Sequence, residues 1–191
     1  EYLQEISELI ERAITIDPEF KKAIVTKGNI LMAIMAIVDD SDIPFLFKQA
    51  FECAEKALVI DPNYVKALVL KQALHGRLSD YKNAMECSNK ALALKPNSTS
   101  ALLLRGTMLM LMRGHKMDAA LLKEIFPPAG EIEDPIAVFN KITEIDPKKE
   151  EAWFAKGHVH LEKGEKEAAL AAFKALAEIN GAFKEKADMI V

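Results

Sequence analysis

His158 and His160 are residue types that could hold a metal ion. On a helix, residues two apart point about 200° from each other, so the two imidazoles cannot close on one ion. The bland alternative is expected, with His160 packed between helices and His158 in solvent. Carboxylates gather at Glu162, Glu165 and Glu167, and again at Glu131, Glu133 and Asp134. Such groups divide acid and base work when burial raises one pKa, but these lie in turns among lysines and read as solvated helix ends. Cys53 and Cys87 fall in helical segments with no second thiol close by, which reads as two packed thiols in a reducing compartment. The chain has no Gly-rich phosphate loop after a strand, no His-Glu-x-x-His helix and no Cys-x-x-Cys pair. It therefore reads as non-catalytic, with no metal and no cofactor.

Charge and hydropathy narrow the partners. There are 25 basic and 29 acidic residues for a net charge of -4, without the basic surplus that nucleic-acid binding draws on. The longest apolar run, from Ile30 to Val38, is nine residues, about half of a membrane-spanning helix. The reading is a cytoplasmic chain with neither nucleic-acid nor membrane partners. It opens on Glu1 with no basic and apolar leader, which reads as a piece of something longer.

The elements that would position any binding residue follow from a repeat. One phrase reads Ala-Ile-Thr-Ile-Asp-Pro ending at Pro18, Ala-Leu-Val-Ile-Asp-Pro at Pro62, Ala-Leu-Ala-Leu-Lys-Pro at Pro96 and Ile-Thr-Glu-Ile-Asp-Pro at Pro147. The intervals are 44, 34 and 51 residues, and a further 34 leads to Gly181. Nine residues after each proline stands a base, Lys27, Lys71, Arg105 or Lys156, followed by Gly28, Gln72, Gly106 or Gly157. A fixed period with two lengthened units signals a repeat architecture carrying two insertions. Apolar Leu3, Ile6, Leu9, Ile10, Ala13 and Ile14 share one helical face opposite Glu5, Glu8, Glu11 and Arg12.

Helices are predicted over 2–16, 19–38, 44–60, 64–78, 80–94, 98–113, 133–145, 149–162 and 166–179, with a short one in 182–190. Each Asp-Pro step is expected to supply an N-cap and a first-turn proline. The earlier insertion is expected to lengthen a helix through Val38. The later one, from Arg113 to Asp134, carries an amphipathic piece with Met117, Leu121, Leu122, Ile125 and Phe126, broken by Pro127 and Pro128. These insertions either form a working edge or cover bare core. Met32, Met35, Met108, Met110 and Met112 suit an irregular core or an adaptable binding surface, and most continue an apolar face.

The 34-residue unit resembles the tetratricopeptide repeat, most closely in Trp153, Gly157, Gly164, Ala169, Phe173 and Leu176. The unit from Tyr64 keeps Leu68, Ala84 and Ala91, and the stretched units keep Ala57, or Phe139 and Ile142. This resemblance implies an all-α fold, a right-handed α-α superhelix with two insertions. It implies one domain over 1–191, with a leading helix at 2–16 and repeats at 19–60, 64–94, 98–145 and 149–179. It further implies that the first helices of successive units line a concave side. Residues placed there are Lys22, Val25, Asn29 and Met32; Lys66, Val69 and Ala73; Ser100, Leu103, Thr107 and Met110; and Glu151, Phe154, His158 and Leu161.

Such a groove, apolar in its depth and sparsely charged at its rim, suits an extended or helical peptide. The competing expectation is that Val25, Val69, Leu103 and Phe154 bury against the insertions. Of the asparagine and basic positions with which one branch of the family clamps acidic tails, only Asn29 matches, so that clamp is not expected. The implied function is a protein-interaction scaffold. The alternatives are a regulatory arm of a larger enzyme or transcriptional regulator, and a structural protein self-associating through the ends of its stack.

Overall fold

The computed structural model describes residues 2–114, 117, 119–126 and 133–183. The helices are α1 (Tyr2–Ile16), α2 (Lys21–Ile34), α3 (Ile43–Ile60), α4 (Val65–Arg77), α5 (Tyr81–Leu94), α6 (Thr99–Gly114), α7 (Ala119–Ile125), α8 (Pro135–Ile145), α9 (Glu150–Glu162) and α10 (Lys166–Ile179). A 3-10 turn at Gly181–Phe183 follows α10, and no strand occurs among the described residues. The chain divides into two compact units, residues 1–95 and 96–191.

In the first unit α2 packs against α3 and α4 against α5, with α1 on α2 and α3 on α4 closing the stack. The first helices α2 and α4 also touch. Ile24, Val25, Leu31, Met35, Ala50, Cys53, Ala54, Ala57, Ala67, Leu70 and Leu74 form one core. The run of alanines on α3 lets backbones approach, while leucine and isoleucine fill what remains. In the second unit α6 packs on α8 and α9 on α10, with α8 on α9 and α6 beside α9. A Cβ on Gly106 would lie 2.6 Å from the Phe139 ring, and one on Gly157 would lie 2.5 Å from that of Phe173. Small against large is thus the contact rule of both hairpins.

The recurring base is a tie between elements. Lys27 pairs with Glu11 at 2.5 Å, and Lys71 with Glu55; both acids lie on the preceding helix. Arg105 grips Glu133 at 2.7 Å, and Lys156 lies 5.0 Å above the Trp153 ring. Burial depresses the Lys156 ammonium, and Glu144 partly restores it.

Three expectations are corrected. The Asp-Pro phrase ends a helix instead of starting one, because Asp61 and Asp146 are the C-terminal caps of α3 and α8. Asp17, Asp61 and Asp146 each accept the backbone N–H two residues on, at 3.0–3.1 Å, an aspartate turn that bends the chain into the next helix. Only Asp134-Pro135 serves as a cap and first-turn proline, with Asp134 accepting from the Ile136 N–H. Secondly, α2 stops at Ile34, four residues short of Val38. The N–H groups of Ala36 and Ile37 turn to carbonyls three residues back, tightening the chain before Asp39.

Thirdly, the acids at the second insertion are more than solvated ends. Glu133 holds Arg105, and Asp134 takes Lys163 at 2.8 Å and Arg113 at 3.8 Å. Glu131, Pro127 and Pro128 lie outside the described residues, as does 184–190 of the expected terminal helix. The amphipathic piece of that insertion is α7.

The turns closing α4/α5 and α9/α10 are copies of one design. His75 Nδ1 lies 2.9 Å from Asp80 Oδ2, and His160 Nδ1 lies 2.6 Å from Glu165 Oε2. The acid's N–H donates to the histidine carbonyl in both. Both turns pass through a left-handed residue, Ser79 at φ 56° and Gly164 at φ 76°.

Candidate functional site

The first helices of each unit run side by side, α2 with α4 and α6 with α9. Their outer stripes carry the residues expected to meet a partner. On α2, Lys22 and Asn29 are exposed and Met32 is half-buried, packing on the core. Val25 is different: at 2% exposure it belongs to the core with Ile24 and Leu31. The exposed stripe of α2 therefore runs Lys22, Thr26, Asn29, Ala33, one position over from Val25 in the 3–4 spacing of a helix face. On α4, Lys66 is exposed while Val69 and Ala73 are half-buried. The Thr26 hydroxyl donates to the Lys22 carbonyl at 2.8 Å, which turns it back on its own helix.

In the second unit, Ser100 and Thr107 on α6 are exposed, with Leu103 and Met110 half-buried between them. Thr107 donates to the Leu103 carbonyl at 2.9 Å. On α9, Glu151 and His158 are exposed, and Phe154 and Leu161 keep 39% and 37% of their surface in solvent. Met35, Met108 and Met112 are buried, so methionine serves mainly as core filling.

The most built part of these faces is an aromatic shelf on α9. Phe154 lies 4.4 Å from the His158 ring and 6.2 Å from both Phe173 and Phe183. His158 meets Phe173 edge-on at 5.6 Å. Phe173 is buried beneath, so the shelf is supported from within the hairpin. Phe183 reaches it because the 3-10 turn folds back from α10, where the Phe183 N–H donates to the Asn180 carbonyl. What brings Phe183 here is the turn after Asn180, a placement the helical periodicity of the sequence does not give.

Beside the shelf an open groove of about 860 Å³ is lined by Asp146, Lys148, Lys149, Glu150, Glu151, Phe154 and Phe183. Two of its acids have side-chain partners. Lys149 donates to Glu151 at 3.0 Å, and Asn180 donates to Glu150 at 3.0 Å. The Glu151 carboxyl is held below its ordinary value, first by its own backbone N–H and then by Lys149. Trp153 donates to the Pro147 carbonyl at 2.8 Å, fixing the start of α9 and with it the groove's floor. An apolar shelf beside a rim of mixed charge, where Lys149 and Glu151 already pair, can seat an apolar side chain.

The two histidines do diverge as helical geometry requires, His158 onto Phe154 and His160 onto Glu165. Cys53 and Cys87 are free and buried, and burial pushes both thiols up, away from the thiolate form that reacts. Among the described residues no helix is long and apolar enough to cross a membrane.

Comparison with known proteins agrees with this architecture. The sequence signature of the tetratricopeptide repeat matches residues 73–98 and 150–183. No curated protein sequence matches the chain. The crystal structure of MamA superposes with a TM-score of 0.62 at 18% identity, covering 94% of this chain and 89% of its own. A thermophilic TPR protein of Thermus thermophilus gives 0.62 at 18% identity, covering 84% of this chain and 75% of its own. A tetratricopeptide repeat protein from Parabacteroides merdae gives 0.62 at 15%, covering 98% of this chain and 65% of its own. At such identities the likeness is one of fold, a helical-repeat solenoid. The tetratricopeptide repeat signature is thus matched over two stretches of the chain, within a fold whose α6/α8 and α9/α10 hairpins are closed by glycine against phenylalanine. The chain is similar to tetratricopeptide repeat proteins in signature and in fold.

Proposed function

We propose that the chain is a non-catalytic, cytoplasmic adaptor that holds a peptide segment of a partner protein on the exposed stripes of its first helices. The observation that carries this reading is the α9 shelf, where Phe154 stays over a third exposed beside an open groove, with Leu161 similarly exposed two turns further along the helix. Aromatic and aliphatic side chains held in solvent by a rigid hairpin are what interface anchors are made of. An extended or helical peptide with apolar anchors three or four residues apart suits a stripe with that spacing. Lys22, Asn29 and Lys66 make the contact set of the first unit, without Val25, and Ser100, Leu103, Thr107, Glu151 and His158 complete that of the second. No cofactor and no nucleic acid enter this reading.

The test is capture of partners by the intact chain and by a Phe154→Glu/Leu103→Glu variant. Glutamate at these half-exposed positions leaves the buried core untouched, so helicity is expected to persist while capture is lost. Val59→Glu, at a side chain 81% exposed on the second helix α3, is expected to capture as the parent does. Equal capture by the Phe154/Leu103 variant would overturn the proposal.

A further inference from the structure

Among the four recurring bases, three are held by a carboxylate and the last is not. Sixteen residues before Lys27, Lys71, Arg105 and Lys156 stand Glu11, Glu55, Asn89 and Asn140. Glu11 pairs with Lys27 and Glu55 with Lys71, each acid reaching the base on the next helix. Arg105, with asparagine at that register, takes Glu133 instead at 2.7 Å. Lys156 has Asn140 at that register and makes no ion pair among the described residues. Its ammonium lies 5.0 Å above the Trp153 ring. The helix that carries Asn140, α8, packs on α9 as α1 packs on α2 and α3 on α4, so the asparagine holds the register position of the missing acid.

Lys27, Lys71 and Lys156 are all half-buried. Exposure therefore does not separate them; the partner does. A lysine in an ion pair keeps its proton, and its tip is tied to the acid. One taken partly out of water with no acid against it gives up its proton more readily, and the neutral amine is the nucleophile. The face of Trp153 favours the cation less than an ion pair would. Burial outweighs the charge of Glu144 and lowers the Lys156 ammonium, in keeping with the geometry.

We propose that Lys156 is an acylation site, whose amine takes an acyl group from an acyl thioester such as acetyl-coenzyme A. The Nζ lone pair attacks the thioester carbonyl, an N–C bond forms, the C–S bond breaks and the thiolate leaves, while one amine proton passes to water. The product sets a neutral amide in place of the ammonium over Trp153. Trp153 is the residue whose N–H fixes the start of α9 on the Pro147 carbonyl.

The full chain is to be incubated with acetyl-coenzyme A at neutral pH, and the acetylated fraction of each lysine followed by peptide mass mapping. Lys156 is expected to react several-fold faster than Lys27, Lys71 and the exposed Lys148. Asn140→Glu supplies the acid and is expected to slow Lys156 to the rate of Lys71. Glu55→Gln removes one and is expected to raise Lys71 towards the rate of Lys156. The chain has one tryptophan, so the Trp153 emission is expected to shift as Lys156 reacts and to stay put in Lys156→Arg. Rates that follow exposure alone, with Lys148 fastest and Lys156 level with Lys71, would overturn the proposal. So would a Glu55→Gln chain in which Lys71 stays slow, or an Asn140→Glu chain in which Lys156 stays fast.

Discussion

Ser79 holds φ at 56° in the turn where the matching hairpin has Gly164 at φ 76°. A side chain there crowds the following carbonyl, and glycine carries no such penalty. Ser79→Gly is expected to stabilise by about 0.5 kcal/mol, the relief of strain less the entropy that glycine adds to the unfolded chain; a urea midpoint at or below the parent's would contradict it. Asp134 supplies a second test. Burial pushes its carboxyl up, but the Lys163 hydrogen bond, the Ile136 N–H and the charges of Lys163 and Arg113 outweigh this and leave it below the ordinary value. A group depressed on folding stabilises fully above its unfolded pKa of about 4 and loses that contribution as pH falls through the lower folded value. Asp134→Asn keeps the cap and loses the charges, so at pH 7 it is expected to cost about 0.5–1 kcal/mol after solvent screening. The deficit should shrink as pH falls below about 4, and an equal deficit at every pH would deny the ion pairs their part.

At the scale of elements, α6 tests the small-against-large rule within one helix. Gly106→Ala is expected to lose about 1–3 kcal/mol, since its Cβ would strike the buried Phe139 ring. Gly114→Ala, at the last residue of α6 with nothing within 4 Å, is expected to be neutral or to gain up to about 1 kcal/mol from helix propensity. Equal effects in chemical denaturation would undo the rule. These contacts were legible beforehand, because the positions recur at a fixed distance from each proline and glycine beside an aromatic has a packing reason to recur. Helix ends were legible to within two residues except at α2, where apolar residues continue to Val38 and give no stop signal. The stop comes from a tightened turn that periodicity does not encode. The Asp-Pro phrase misled for a related reason: aspartate accepts a nearby N–H equally well when closing a helix or opening one, and only the path of the chain separates the two. The His75–Asp80 and His160–Glu165 locks were hidden because a five-residue separation means nothing until the turn folds.

At the scale of the molecule, each compact unit offers two first helices side by side, with lysine and asparagine on one and an aromatic shelf on the other. Of the expected binding residues, helical counting placed all but Val25 on exposed or half-exposed surface. It failed at Val25 because α2 is flanked by α1, α3 and α4 together, which buries more than one stripe. Since the proposed anchors are apolar, partner affinity is expected to fall little between low salt and about 0.5 M, unlike the steep loss of charge-driven complexes. A steep loss in a binding titration would point to a charged ligand instead. The most direct test of the account is amide shift mapping of the isotope-labelled chain with a peptide taken from a captured partner. Perturbations concentrated at Lys22, Asn29, Lys66, Thr107, Phe154 and His158 are the predicted result, and perturbations confined to α3, α5, α8 and α10 would contradict it.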